Sequence, residues 1–200
     1  MLVVGINTDE KLKNQTEMEL ELKHLAPYLP YGLKGIAYVS KDIALDNVDI
    51  TGCNRSELYC EYTSERYKNM SGARKWFDLY EVKPLLLPMS SLYTEMEDGT
   101  VPIVELAKIA TGIQDWEVIE YQPTFGSRKI KFKPYLVAYN KEYNFRFFFR
   151  DKDFYLYDVD GARECTHQNQ LDLFTYLFSH HFDVFSLIPQ NLALDKTKIK

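Results

Sequence analysis

The sequence has little cysteine: Cys53, Cys60 and Cys165 are the only three in 200 residues. An odd, scattered set is not a disulfide framework and reads as free thiols in a reducing compartment. Cys53 and Cys60 stand too far apart for a CxxC zinc knuckle, and no histidine lies close by. Long apolar runs are missing too, since no stretch approaches the ~20 residues of a membrane helix. The opening Met1-Leu-Val-Val-Gly-Ile6 is short, lacks a basic lead and runs into charged residues, which argues against a signal peptide. An excess of positive charge is also absent. Lys and Arg total 24 against 29 Asp and Glu, a formal net charge of −5. That balance favours solubility and gives no overall attraction to nucleic acid or to anionic membranes. Finally, no GxSxG, HExxH, P-loop or GxGxxG occurs, so no catalytic constellation announces itself and no cofactor is implied. A cytoplasmic protein without a membrane partner is the expectation.

What is plentiful is Tyr and Phe, 15 and 12 residues against two Trp. Both favour strands, so the composition leans toward sheet. The length fits one domain able to bury a core without disulfides or metal. Residues 1–17 read as an N-terminal appendage, 18–194 as the domain, and 195–200 as a loose tail.

Along the chain, Glu19 to Tyr28 is a plausible short helix limited by Pro27 and Pro30. Strands are expected at 33–39, 58–62, 76–82 and 116–121, with 40–55 mostly loop because of its Asp, Asn and Gly. The Leu85-Leu-Leu87 run between Pro84 and Pro88 reads as a buried extended stretch. Ser90 or Ser91 would cap a helix over 92–96. Pro102 would open another to about Ala110, closed by Gly112.

Two features dominate the C-terminal half. Phe145-Arg-Phe-Phe-Phe-Arg150 and Phe154-Tyr-Leu-Tyr-Asp-Val159 flank Asp151-Lys152-Asp153 and predict a β-hairpin. A three-residue loop sets Arg146 opposite Asp158, and Phe145, Phe147 and Phe149 opposite Val159, Tyr157 and Tyr155. A helix capped by Asn169 then carries Leu171, Phe174, Leu177, Phe178, His181 and Phe182 on one broad stripe. The expected fold is α+β: a mainly antiparallel sheet with a 145–159 hairpin, packed by a C-terminal helix and two short middle helices.

Three patterns carry candidate chemistry. Asp158-Val-Asp160-Gly161 follows an apolar run and resembles the opening motif of haloacid-dehalogenase-type phosphatases, in which two carboxylates at a strand end share one phosphate and a Mg²⁺. Only 39 residues follow it, however, and Ala162 stands where that family has Thr. A strand ending in a Gly turn is the plainer account. His180-His181-Phe-Asp183 offers metal-ligand types, yet adjacent helical residues point about 100° apart and no third ligand is evident beyond His167. Lastly, Arg128, Lys129, Lys131, Lys133, Lys141, Arg146 and Arg150 face only Glu142 across 128–150, interleaved with Tyr135, Tyr139 and Tyr143. Of these, Arg128, Lys129, Lys131, Lys133, Tyr135, Arg146 and Arg150 are the candidate contacts. Such a stretch suits an acidic protein or a nucleic acid, or is simply the solvated outer face of a sheet.

Three blocks resemble small uncharacterised proteins common in phages and prophages of Bacteroidetes bacteria. These are Leu22-Lys-His-Leu-Ala-Pro-Tyr-Leu-Pro-Tyr-Gly-Leu-Lys34, Lys83-Pro-Leu-Leu-Leu-Pro-Met-Ser-Ser-Leu92, and Leu177 to Leu194 with His181-Phe-Asp-Val-Phe-Ser-Leu-Ile188. The central block departs from the family pattern in having Leu87 where Arg is usual. The resemblance implies a phage-associated origin in a bacterial host cell and brings no mechanism with it. It also implies that His24 and His181 belong to shared blocks. The expected function is therefore that of a non-enzymatic phage accessory protein that binds a host or phage protein. Nucleic-acid binding through 128–150 is the alternative, and a metal-dependent phosphohydrolase using Asp158 and Asp160 the second.

Overall fold

The computed structural model describes residues 19–40, 43–62, 74–122, 134–158 and 170–199. Their strands are β1 Lys34–Ser40, β2 Ile43–Cys53, β3 Glu57–Glu61, β4 Arg74–Asp78, β5 Val82–Leu86, β6 Trp116–Tyr121, β7 Tyr135–Asn140, β8 Phe145–Arg150, β9 Asp153–Tyr157 and β10 Leu194–Asp195. Three α-helices accompany them: α1 Leu22–Leu25, α2 Pro102–Thr111 and α3 Gln170–Ser179. The fold is α+β, with two sheets rather than one. A six-stranded sheet runs β10-β5-β1-β2-β3-β4 and a four-stranded sheet runs β6-β7-β8-β9. All neighbours are antiparallel except β10 and β5.

The stretch expected as loop at 40–55 is mostly strand β2. Leu45, Val48 and Ile50 are buried on it, but a bulge sits between Leu45 and Val48, where Asn47 takes a φ of 55°. The extra residue breaks the two-residue period and hides the strand from pattern reading. Gly35 on β1 is required by sterics: a Cβ there would lie 3.0 Å from both Ile50 Cδ1 and the Lys83 carbonyl. The strand expected over 76–82 splits at a 3-10 turn, Leu79–Glu81, where the Asp78 N–H donates to Glu81. The helix expected over 92–96 is a 3-10 turn at Met89–Tyr93. Helix α2 follows its signals, with Pro102 in the first turn and Gly112 left-handed at φ 74°.

Two cores result. Tyr28, Leu33, Val48, Ile50, Leu58 and Phe77 fill the core of the six-stranded sheet, closed by Leu187 and Ala193 from the C-terminal segment. Ile103 and Leu106 of α2 and Leu173 and Leu177 of α3 pack with Ala138, Phe147 and Phe154 of the four-stranded sheet. Helix α3 stops at Ser179, short of 182. His181 then turns left-handed at φ 59° and Phe182 pairs with Leu87. The expected cap Asn169 lies outside the described residues. Asp195, expected in a loose tail, pairs with Leu86 in β10.

The β8–β9 hairpin exists, but its register is one residue off the expected one. The loop is Asp151-Lys152 alone, both at positive φ (53° and 68°), as a type I′ turn demands. Arg146 therefore lies opposite Tyr157, Phe147 opposite Leu156, Phe148 opposite Tyr155 and Phe149 opposite Phe154. Because side chains alternate faces, the slip sends Tyr155 and Tyr157 to the face away from Phe147 and the helices.

Candidate binding face on the four-stranded sheet

The inner face of β8 and β9 is Phe147, Phe149, Phe154 and Leu156, against α2 and α3. Period two then assigns Arg146, Phe148, Arg150, Tyr155 and Tyr157 to the outer face. Neighbouring strands continue it: Tyr139 lies opposite Arg146, Ile119 opposite Val137 and Tyr121 opposite Tyr135. The result is an aromatic face with two arginines and no helix of the inner core upon it.

The rings on this face lean on one another. Phe148 stacks on Tyr155 at 5.4 Å and on Tyr157 at 5.5 Å, with interplanar angles of 18° and 8°. Tyr135 meets Phe148 edge-on at 5.3 Å and Tyr121 at 5.7 Å. Phe148 is only 4% exposed although it faces away from the helices. The Arg146 guanidinium lies 4.4 Å over the Tyr121 ring, and that of Arg150 lies 5.6 Å from Phe148 and 5.5 Å from Tyr155. Burial pushes the Tyr135 phenol up from its ordinary pKa, helped by Tyr121 and opposed by Arg150 and Arg146.

The two arginines differ in how their charge is met. Arg150 Nε makes an exposed 3.5 Å ion pair with Asp151. Arg146 Nη2 donates at 3.0 Å to the backbone carbonyl of Asp158, not to its carboxylate. This corrects the expected Arg146–Asp158 charge pair. Arg146 Nε is buried with no hydrogen-bond partner, and among the described residues no carboxylate forms an ion pair with Arg146.

Of the expected contact residues, Tyr135, Arg146 and Arg150 are brought together here, while Arg128, Lys129, Lys131 and Lys133 lie outside the described residues. Sequence reading missed Phe148 and misassigned Tyr155 and Tyr157. A two-residue turn at Asp151-Lys152 was the signal that would have found them.

The other candidates fare differently. Asp158 follows an antiparallel edge strand, not the parallel strand end of a doubly wound sheet, and Asp160, Gly161 and His167 lie outside the described residues. His180 and His181 sit beyond the helix rather than on it. His180 stacks on Tyr176 at 4.2 Å, and His181 Nε2 donates to the Tyr31 carbonyl at 3.0 Å. His24 is buried, its Nδ1 accepting from the Glu21 N–H at 3.1 Å. Among the described residues no group of three His, Cys, Asp or Glu is placed to hold a metal ion. Cys60 is buried, which pushes its thiol up to about 12 and makes it inert. Two open clefts, of about 780 and 470 Å³, have mixed linings: Lys23, Arg55 and Asp78 in one, Glu95, Asp98 and Lys196 in the other. Neither converges polar groups on a buried point. No described helix is long and apolar enough to cross a membrane. No protein-family model matches the chain, and neither a curated protein nor a solved structure matches it.

Proposed function

We propose that this chain is a non-enzymatic, phage-associated accessory protein that binds a host or phage protein through the outer face of its four-stranded sheet. The observation that carries this reading is the cluster of Tyr121, Tyr135, Phe148, Tyr155 and Tyr157 with Arg146 and Arg150 stacked on its rings. Tyr, Phe and Arg are the residues that protein interfaces enrich. Rigid aromatics and guanidinium groups also serve as their energetic anchors at low entropic cost.

Nucleic acid is the second reading, favoured by the same arginines and by the lysines in sequence between β6 and β7. Single strands bind by stacking bases on open ring faces. Here the faces are spent on neighbours: Phe148 lies against Tyr155 and Tyr157, and Arg150 lies over Phe148 and Tyr155. Such a surface offers ring edges, hydroxyls and guanidinium groups, which suits a protein better than a base.

The test is capture from host lysate by the tagged protein, with and without nuclease, read by mass spectrometry. Wild type is compared with a Tyr155→Ser, Tyr157→Ser variant. A protein retained after nuclease by wild type and lost by the variant supports the reading. Capture that disappears with nuclease favours nucleic acid, and capture indifferent to the two substitutions removes this face from the account.

A further inference from the structure

We infer that two copies of this chain pair edge to edge through β4, antiparallel about a two-fold axis at Trp76. This contact is separate from the face on the four-stranded sheet. Strand β4 ends the six-stranded sheet and pairs along one side with β3 over all five of its residues. The Leu79 N–H donates to the Ser56 carbonyl at 3.1 Å. Backbone polar groups alternate sides along an antiparallel strand, so Phe77 and Lys75 also point theirs at β3. Arg74, Trp76 and Asp78 then point theirs outward, where no described strand meets them. The Asp78 N–H keeps this phase, since it donates to Glu81 Oε2 at 3.1 Å. Trp76 is left with an outward N–H and carbonyl that have no partner among the described residues, and its side chain is 43% exposed.

The strand reads Arg74-Lys-Trp-Phe-Asp78. Laid antiparallel against itself with Trp76 at the axis, it sets Trp76 opposite Trp76 and Arg74 opposite Asp78 at both ends. Opposite charges across a ladder stabilise it and like charges oppose it. A slip centred on Lys75 sets two lysines together, and one centred on Phe77 forfeits both charge pairs. In the Trp76 register the two tryptophans exchange a pair of N–H···O=C bonds, and each Arg74 N–H meets an Asp78 carbonyl. The Asp78 carboxylate is held by the exposed Tyr80 hydroxyl at 2.7 Å. Lysine on an edge strand usually guards it, but Lys75 Nζ lies 4.7 Å over the ring of its own Phe77. The 3-10 turn Leu79–Glu81 closes the edge beyond Asp78, so each copy offers the same five residues. So short a ladder falls below the ~1,200 Å² of a standard interface, and the dimer should dissociate in roughly the 10–100 µM range.

The test is sedimentation velocity of the full chain from about 5 to about 500 µM. Wild type should pass from monomer to dimer across that range. Arg74→Asp and Asp78→Arg, each alone, set like charges together at both ends of the ladder and should weaken association at least tenfold. An equimolar mixture of these two variants restores opposite charges at both ends and should associate within about threefold of wild type. Trp76→Pro removes an outward N–H and leaves the bonds to β3 in place, so it should stay monomeric throughout. It serves the same comparison if a charge variant melts early. A wild-type chain still monomeric at about 500 µM would overturn the inference. So would a dimer indifferent to both Arg74→Asp and Trp76→Pro, or a mixture of the folded charge variants no tighter than either alone.

Discussion

The Tyr28 hydroxyl donates to the Phe182 carbonyl at 2.7 Å and accepts from the Val184 N–H at 3.2 Å, joining chain segments 154 residues apart. Around it, the Leu87 N–H donates to the His181 carbonyl and the Asp183 N–H to the Leu87 carbonyl, each at 2.8 Å. The segments 22–34, 83–92 and 177–194 thus meet at one junction between the two cores. Tyr28→Phe removes both bonds but leaves the Val184 N–H donating to the Phe182 carbonyl at 2.8 Å, and should cost about 0.5–1.5 kcal/mol. Urea unfolding reads this directly, and an unchanged midpoint would contradict the junction.

Phe147 is 2% exposed and stacks on Phe154 at 5.5 Å, facing the helices. Phe147→Ala should destabilise by about 3–5 kcal/mol. Leu171, 80% exposed on α3, is the control: Leu171→Ala should leave the melting temperature nearly unchanged. A soluble Phe147→Ala protein melting with wild type would overturn the placement of the inner face.

Lys152 holds φ 68° in the hairpin turn, a region that costs a β-carbon-bearing residue about 1–2 kcal/mol. Lys152→Gly removes that strain at some entropic cost to the unfolded chain, and should raise stability by a few tenths to about 1 kcal/mol. A clear drop in thermal midpoint would mean the turn is not of this type.

Burial holds both His24 and His181 below their ordinary pKa of 6.5, reinforced by Lys23 and Lys196 respectively. For a base with a lowered folded pKa, the unfolded chain takes up the proton first. The stabilising contribution is present above 6.5 and is lost as pH falls from there through the lowered folded value. The urea midpoint should therefore fall between about pH 7.5 and 5.5. The fall should be shallower in a His24→Gln, His181→Gln variant, and an identical slope in both proteins would contradict the assignment.

Much of the architecture was legible because it depends on local chemistry. Pro102 and Gly112 bracket α2, and Leu177 of the stripe expected on α3 is buried, although Leu171 of that stripe is 80% exposed and the buried Leu173 stood outside it. What escaped pattern reading did so for particular reasons. The bulge at Asn47 shifts the buried positions of β2 by one. Strand β7 buries Val137 toward the outer cluster and Ala138 toward the helices, so it shows no alternation. The candidate face was half legible: Tyr135, Arg146 and Arg150 stand out by type, but Phe148, Tyr155 and Tyr157 depend on turn length. Lys152 is a poor advertisement for a left-handed position, and a one-residue slip there reassigns every side chain of the strand.

The most direct test of the binding face is hydroxyl-radical footprinting of the protein alone and bound to its captured partner. Tyr121, Tyr135, Tyr155 and Tyr157 should lose reactivity on binding, while Tyr59, Trp76 and Tyr80, on and beside the six-stranded sheet, stay as they were. Protection of Tyr59, Trp76 and Tyr80 with the four outer-face tyrosines unchanged would place the interface on the other sheet and contradict the account.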